Sequence, residues 1–299
     1  MIGITGASGY LGSALAASLA SHTLPVVTLG RGDADRALDL GQHTGFRSAL
    51  EGLSTLVHCA GLAHNRSAPH HYERINHRAT MALADAAATA GVRRFIFIST
   101  LNVVPAASAS GSLSAASLPR PSTAYAESKW LAEQSLEQLL GHSDCDVVIC
   151  RPGLIYDHQL TGNLATLRHF AGRLPIAFPE KGERGMISRP DLVALLHNLI
   201  QRETWGQLPS RNLPVTDGES YSARRIARAL GCAAGLSIPA PLWRVGGWCR
   251  DRLTGAVPGS TWRAVSGEGW TGAAPVIDGW QPRWTLETLL TDDIEGLSA

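Results

Sequence analysis

The chain has 299 residues, long enough to bury a sizeable core, and its 44% hydrophobic and 17% charged residues are ordinary for a globular protein. A formal net charge of +1 gives no long-range field to draw in nucleic acid or acidic membrane, and no apolar run approaches the ~20 residues of a membrane span. Five scattered cysteines without a CxxC pair, and eleven histidines without ligand spacing, lead us to expect a reduced, cytoplasmic protein without a metal site.

In chain order, Met1 to Thr5 reads as a short strand with no signal peptide ahead of it, and the Ala/Leu-rich stretch Gly12 to Ser21 as a helix. Strands follow at Pro25 to Leu29, Ser54 to Cys59 and Arg94 to Ser99, the last carrying Phe-Ile-Phe-Ile. Between the last two, Asn76 to Ala90 is predicted as a long helix stopped by Gly91. A helix over Ala124 to Leu140 leads to a strand at Asp146 to Cys150. This alternation predicts an α/β protein with a doubly wound parallel sheet of Rossmann type. Pro105 to Ser122 is an aperiodic Ala/Ser/Pro-rich loop. After Pro152 the alternation fades, and Gly255 to Ala274 has no period. We expect a dinucleotide-binding domain over 1–153, completed by about 187–216, and a smaller substrate-binding region formed by 154–186 and 217–299.

Thr5-Gly6-Ala7-Ser8-Gly9-Tyr10-Leu11-Gly12 joins the first strand to the first helix. Gly6 permits a tight turn, Gly9 lets backbone approach phosphates, and Gly12 allows close helix–strand packing, while the helix N-terminus offers free N–H groups to an anion. The spacing is GxxGxxG rather than GxGxxG, and glycine-rich turns also serve packing. The second strand ends Leu29-Gly30-Arg31. Gly30 stands where NAD binders usually keep an acid for the ribose 2′-hydroxyl, and a following Arg31 suits a 2′-phosphate. NADP(H) is therefore favoured over NAD(H), with Asp33 nearby as a counterweight and a solvated arginine as the other reading.

Tyr125 and Lys129 are four residues apart at the start of a helix, which puts phenol and ammonium on one face. A tyrosine with a pKa of about 10 is a poor base at neutral pH, and a neighbouring cation favours its phenolate. YxxxK is common by chance. Its weight comes from Ser99-Thr100 at the carboxyl end of the apolar strand, where open α/β sheets bind ligands. A hydroxyl there can hold a substrate oxygen, or simply cap a turn.

With these pieces in order, the chain resembles the extended short-chain dehydrogenase/reductases, the NAD-dependent epimerase/dehydratase family. The matching segments are TGASGYLG (5–12), VHCAG (57–61), Asn76, RFIFIST (94–100), YAESK (125–129) and RPGLIY (151–156). The resemblance implies that Gly6, Gly9, Tyr10, Leu11 and Gly12 line a pyrophosphate, that Asp39 and Leu40 lie near adenine, and that Ala60, Gly61 and Ser99 lie along the cofactor. It makes Thr100, Tyr125 and Lys129 the catalytic trio, with Lys129 also on the nicotinamide ribose, and sets Pro152 against the nicotinamide.

The second half is similar to the nucleotide-sugar branch. Gly162-Asn163-Leu164 and Arg184 match groups that contact the sugar-nucleotide diphosphate, and 215–222 and Gly279-Trp-Gln-Pro282 follow the same branch. Within it the nearest likeness is to bacterial polysaccharide enzymes, UDP-sugar 4-epimerases or 4-keto reductases of the N-acetylquinovosamine type. The resemblance implies 4-keto reduction of a UDP sugar. The alternatives are a 4-epimerase that keeps its NAD, a reductase of another carbonyl, and a non-catalytic dinucleotide sensor. Relatives pair into dimers through the helices that match 79–90 and 130–140, both of which carry apolar residues to spare here. Two departures stand out. Tyr156-Asp157-His158 replaces the usual Tyr-Gly-Pro, and Leu101-Asn102 stands where 4,6-dehydratases carry Asp-Glu, which argues against dehydration.

Overall fold

The computed structural model describes residues 1–63, 67–104, 121–161, 164–165, 167–168, 176–180, 182–231, 236–255, 262 and 272–296. Seven parallel strands form the central sheet: β1 (Ile2–Thr5), β2 (Val26–Gly30), β3 (Arg36–Ala37), β4 (Thr55–His58), β5 (Arg94–Ile98), β6 (Asp146–Pro152) and β10 (Asn212–Val215), in the spatial order β10-β6-β5-β4-β1-β2-β3. The predicted Rossmann-type α/β fold is the one observed. Ile4 of β1 aligns with Val57 of β4 and Thr28 of β2, so the carboxyl ends of β1, β4, β5 and β6 share one edge.

Strand periodicity divides the core in two. In β5, Ile96 and Ile98 face one side with Ile4, Val57 and Val148, beneath α1 (Tyr10–Ser21) and α6 (Arg189–Gln201). Phe95 and Phe97 face the other with Leu56 and Ile149, beneath α2 (Phe46–Leu50), α4 (Ala79–Thr89) and α5 (Ala124–Leu140). A strand buried on both faces has no polar alternation, which is why Phe-Ile-Phe-Ile is continuous in the sequence.

The helix expected from Asn76 begins earlier. Pro69 opens α3 (Pro69–Tyr72), where its missing N–H costs nothing, and a π-helical turn over Glu73–Arg78 leads into α4. The wider turn carries Asn76, and its polar residues hide the helical period. Outside the sheet, β7 (Leu154–Tyr156) pairs with β9 (Met186–Ser188), and β8 (Ile176–Ala177) with β11 (Leu236–Ser237). Helices α7 (Ala223–Ala229), α8 (Ala240–Thr254) and α9 (Leu286–Gly296) complete this part. The predicted loop at 105–122 lies almost wholly outside the described residues, as does most of 255–274.

Two carboxylates, half-buried Asp217 and buried Asp191, tie the end of the chain to this frame. Asp217 Oδ2 accepts hydrogen bonds from the hydroxyls of Tyr156 (2.7 Å) and Tyr221 (2.6 Å), and the Tyr221 oxygen accepts the Leu286 N–H at 3.0 Å. Burial raises the Asp217 carboxyl above the usual carboxylate range. Asp191, in the first turn of α6, accepts the Ser188 hydroxyl (2.7 Å) and the backbone N–H groups of Arg283 (3.1 Å) and Trp284 (3.0 Å). Asp191→Ala would remove three hydrogen bonds at once, that of the buried Ser188 hydroxyl among them. We expect it to lower unfolding free energy by about 3–5 kcal/mol, read as a reduced urea midpoint. A midpoint within error of the parent would show that these bonds contribute nothing net.

Candidate active site

The turn between β1 and α1 is built for close approach. Gly6 has φ +71°, a conformation costly for any side chain, and a Cβ on Gly12 would lie 2.2 Å from the Gly6 carbonyl oxygen. Gly9 caps α1 without a side-chain bond, so the first N–H groups of the helix remain unclaimed by any cap. A pyrophosphate fits this cradle, since bare backbone and a positive helix end are what an anion needs. Leu11 and Gly12 are buried in the helix, and the Tyr10 ring packs beneath the Arg189 guanidinium, 4.5 Å from the ring centroid. Arg189 in turn pairs with the buried Asp157. The ring of the tyrosine expected to line phosphate thus lies under a guanidinium. Asp157, the departure from Tyr-Gly-Pro, gains its reason as the partner of Arg189.

At the adenosine end Arg31 is exposed, directly after β2, with Asp33 also exposed. Asp35 is occupied: its carboxylate accepts the Thr28 N–H and hydroxyl, each at 2.8 Å, which holds its pKa below the usual value. Asp39 spends Oδ1 on the N–H groups of Gly41 (2.7 Å) and Gln42 (3.3 Å), shaping the turn, while Leu40 packs on the core.

The expected trio meets at the carboxyl edge. Thr100 caps a short 3₁₀ turn by accepting the Asn102 N–H at 3.2 Å, and its hydroxyl neighbours the Tyr125 phenol, whose pKa it lowers. Capping and substrate-facing readings are therefore compatible. Tyr125 is half-buried in the first turn of α5, with the Tyr72 ring edge-on at 6.0 Å. Lys129 follows one turn later, 4% exposed, its ammonium donating to the Ile98 carbonyl (2.8 Å) and lying 4.6 Å from the Phe97 ring centroid.

The electrostatics differ from the simple expectation that the lysine lowers the phenol. Burial pushes Tyr125 up to about 12, with the Thr100 bond acting in the opposite direction. Burial also pulls Lys129 down to about 8. The amine is spent on a backbone carbonyl and a ring face, so its field reaches the phenol weakly.

Around the trio lies a shell the sequence did not advertise. Asn76 holds the turn containing Ala60 and Gly61: Oδ1 accepts the Leu62 N–H (2.8 Å), and Nδ2 donates to the Leu62 carbonyl (3.0 Å) and the Ser128 hydroxyl (3.1 Å). Ala60 N–H donates to the Thr5 hydroxyl at 3.2 Å, and that hydroxyl meets His58 Nδ1 at 2.6 Å, with His58 Nε2 2.9 Å from the Thr80 hydroxyl. Ser99, expected beside the cofactor, instead donates its hydroxyl to Glu133. Glu133 is fully buried and makes a bidentate pair with buried Arg151, Nη2 to Oε2 at 2.6 Å. Burial raises the Glu133 carboxyl, and the Arg151 and Ser99 bonds pull it back. Glu133 sits one turn beyond Lys129, and that i+4 spacing on an inward face is the signal that could have revealed it.

Pro152 is buried at the end of β6. Arg184 donates Nε to the Gly182 carbonyl (3.1 Å), exchanges backbone bonds with Tyr221, and has its guanidinium pKa lowered by burial. Asn163 lies outside the described residues. Among the described residues no cluster of His, Cys, Asp or Glu could hold a metal ion, and no helix is long and apolar enough to cross a membrane.

Comparison with known proteins adds the following. A family model described as NAD dependent epimerase/dehydratase family matches residues 2–184. A UDP-glucose 4-epimerase from Vibrio cholerae is 28% identical over 264 residues, spanning 80% of this chain and 78% of that one. The structure of MoeE5 in complex with UDP-glucose and NAD superposes with a TM-score of 0.74 at 23% identity, over 99% of this chain and 98% of that one. A partial consensus L-threonine 3-dehydrogenase gives 0.76 at 19% identity, over 99% and 98%. Shape is thus shared between sugar and non-sugar enzymes, and these structural likenesses establish the fold alone.

His58 supplies a test of this buried shell. Burial, and secondarily Lys129, push its imidazole down to about 3, so the folded protein keeps it neutral. An unfolded histidine protonates below about 6.5, hence this residue costs stability as pH falls through that value, roughly 1.4 kcal/mol per pH unit. The melting temperature of the parent should fall more steeply from pH 6.5 to 5 than that of His58→Gln. Equal slopes would place the proton uptake elsewhere.

Proposed function

Given that the chain belongs to the NAD dependent epimerase/dehydratase family, an enzyme family of short-chain dehydrogenase/reductase type, we propose that it is an oxidoreductase acting at C4 of a UDP sugar. The observation that carries the reading is the placing of the Thr100 hydroxyl and the Tyr125 phenol beside buried Lys129, at the strand edge next to the Gly6–Gly12 cradle. Gly6, Gly9 and the first N–H groups of α1 would hold the pyrophosphate, with Arg31 at the adenosine ribose and Ala60, Gly61 and Pro152 towards the other end. When bound, a nicotinamide dinucleotide supplies the hydride acceptor or donor.

The work of the side chains follows. Thr100 holds the substrate oxygen through its hydroxyl. Tyr125 takes the proton from that oxygen during oxidation and returns it during reduction. A phenol pushed up to about 12 stays protonated at neutral pH, so its proton is in place for a substrate oxygen that becomes more basic than the phenolate, and the Thr100 hydroxyl eases the reverse transfer. The Asn76 contacts and the Glu133–Arg151 pair keep the lysine and the 60–62 turn in place. Arg184 is suited to the substrate's phosphates.

Two forms of this chemistry have separate support. The similarity to a UDP-glucose 4-epimerase favours epimerisation at C4 with a retained cofactor. The exposed Arg31 after Gly30, with no acid at the strand end, favours NADP(H) and hence net 4-keto reduction. Pairing of two copies through α4 and α5 also belongs to the proposal.

With UDP-glucose or UDP-N-acetylglucosamine and catalytic NAD, an epimerase forms the C4 epimer without net change in nicotinamide absorbance. A reductase consumes NADPH with a UDP-4-keto sugar. Failure of both would overturn the substrate assignment. In whichever assay responds, Tyr125→Phe should cost about 10²- to 10⁴-fold in kcat while leaving dinucleotide Kd unchanged. Arg31→Ala should weaken NADPH about tenfold or more and spare NADH. Equal effects on the two would remove Arg31 from cofactor choice.

A further inference from the structure

Helix α8, Ala240–Thr254, is amphipathic the wrong way round for a surface helix. The side it turns to the body carries Trp243, Gly247 and Asp251, spaced by four, with Gly247 and Asp251 buried. The opposite side carries Leu242, Val245, Cys249 and Leu253, one stripe at helical spacing. Leu242 is 61% exposed, Val245 59% and Leu253 88%, and Cys249 is exposed as well. Single exposed apolar residues are commonplace on protein surfaces, whereas a continuous stripe along about 16 Å of helix marks a contact surface.

The charges beside the stripe identify the partner. Arg244 and Arg252 are exposed along its flank. The Arg252 guanidinium lies over the half-exposed Trp248, 4.4 Å from the ring centroid. The one acid of the helix, Asp251, is fully buried, so the outward half presents arginine, tryptophan and aliphatic groups only. The imbalance extends beyond the helix. Between Glu219 and Glu268 the sequence has seven arginines and one aspartate, in a chain whose total is +1. Arg224 and Arg225 of that set are engaged with Glu180, Glu219 and Glu287, while Arg244 and Arg252 flank the stripe. The near-neutral total conceals a local cationic surface.

We propose that α8 docks this protein on an anionic lipid bilayer, lying in the plane of the headgroups. Leu242, Val245 and Leu253 would enter the acyl boundary, and Arg244 and Arg252 would meet lipid phosphates. An apolar stripe rimmed by arginine and tryptophan is what such an interface recognises. A second copy of the chain would bring arginines against arginines if the two helices met face to face, and is disfavoured by the same charges. The inference does not depend on the sugar chemistry above.

The test is flotation of the full chain with phosphatidylcholine vesicles, with and without about one-third phosphatidylglycerol. The expected result is flotation with the anionic vesicles only, declining as salt rises from about 0.1 to 0.5 M. Arg244→Ala should weaken partitioning about fivefold. Val245→Asp combined with Leu253→Asp should abolish it, with the melting temperature and dinucleotide binding retained because both sites are exposed. Absence of flotation, flotation equal on neutral and anionic vesicles, or undiminished flotation of the double variant would each overturn the proposal. So would a dimer in sedimentation that the double variant dissociates without any vesicle binding, since the stripe would then belong to a second copy.

Discussion

An amine taken out of water is the most demanding feature of this molecule, and much of the active-site edge can be read as its accommodation. Lys129 has lost its hydration, so its ammonium leans on the Ile98 carbonyl and the face of Phe97. Both come from β5, whose alternating aromatic and aliphatic faces were fixed by burial on two sides. Glu133, one turn further along α5, brings a counter-charge that is itself held by Arg151 and Ser99. Removing any one partner would leave a buried charge or donor exposed to low dielectric, which is why these groups act as a set rather than as separate contacts.

The same constraint accounts for the neutral groups nearby. His58, hydrogen-bonded between Thr5 and Thr80, stays unprotonated partly because Lys129 is close. Through Thr5 it braces the Ala60 N–H, so the histidine, the glycine-rich turn and the 60–62 turn form one rigid edge. Asn76 completes it from the far side, with the π-helical turn presenting its amide to two segments at once.

What the sequence revealed follows from how local each signal is. The strands and α5 were legible because continuous apolar runs and a 3.6-residue period are written in consecutive residues, and the trio was legible because YxxxK and Ser-Thr fall at element ends. The Glu133–Arg151 pair was not, because a charged residue in a helix normally reads as solvent-facing, and only the assembled sheet shows that this one is covered. Thr5, His58 and Thr80 were hidden for the same reason: their partnership spans strands and a helix separated by 53 and 22 residues. The Ser99 hydroxyl turns to Glu133 because adjacency to Thr100 in sequence places the two hydroxyls on opposite sides of an extended backbone. Asp157 looked like a lost motif residue and is in fact a counter-ion.

Asp191 has a consequence in time rather than in space. Its carboxylate is made with α6, yet the N–H groups it holds belong to Arg283 and Trp284, 92 and 93 residues further along. At 5–20 residues per second, synthesis leaves that anion waiting roughly 5–20 s for its partners. The frame of parallel strands is already complete by then, through Val215. Docking of the 283–284 segment therefore follows completion of the sheet, and a nascent chain halted before residue 283 carries this acid with the Ser188 hydroxyl but without its two backbone donors.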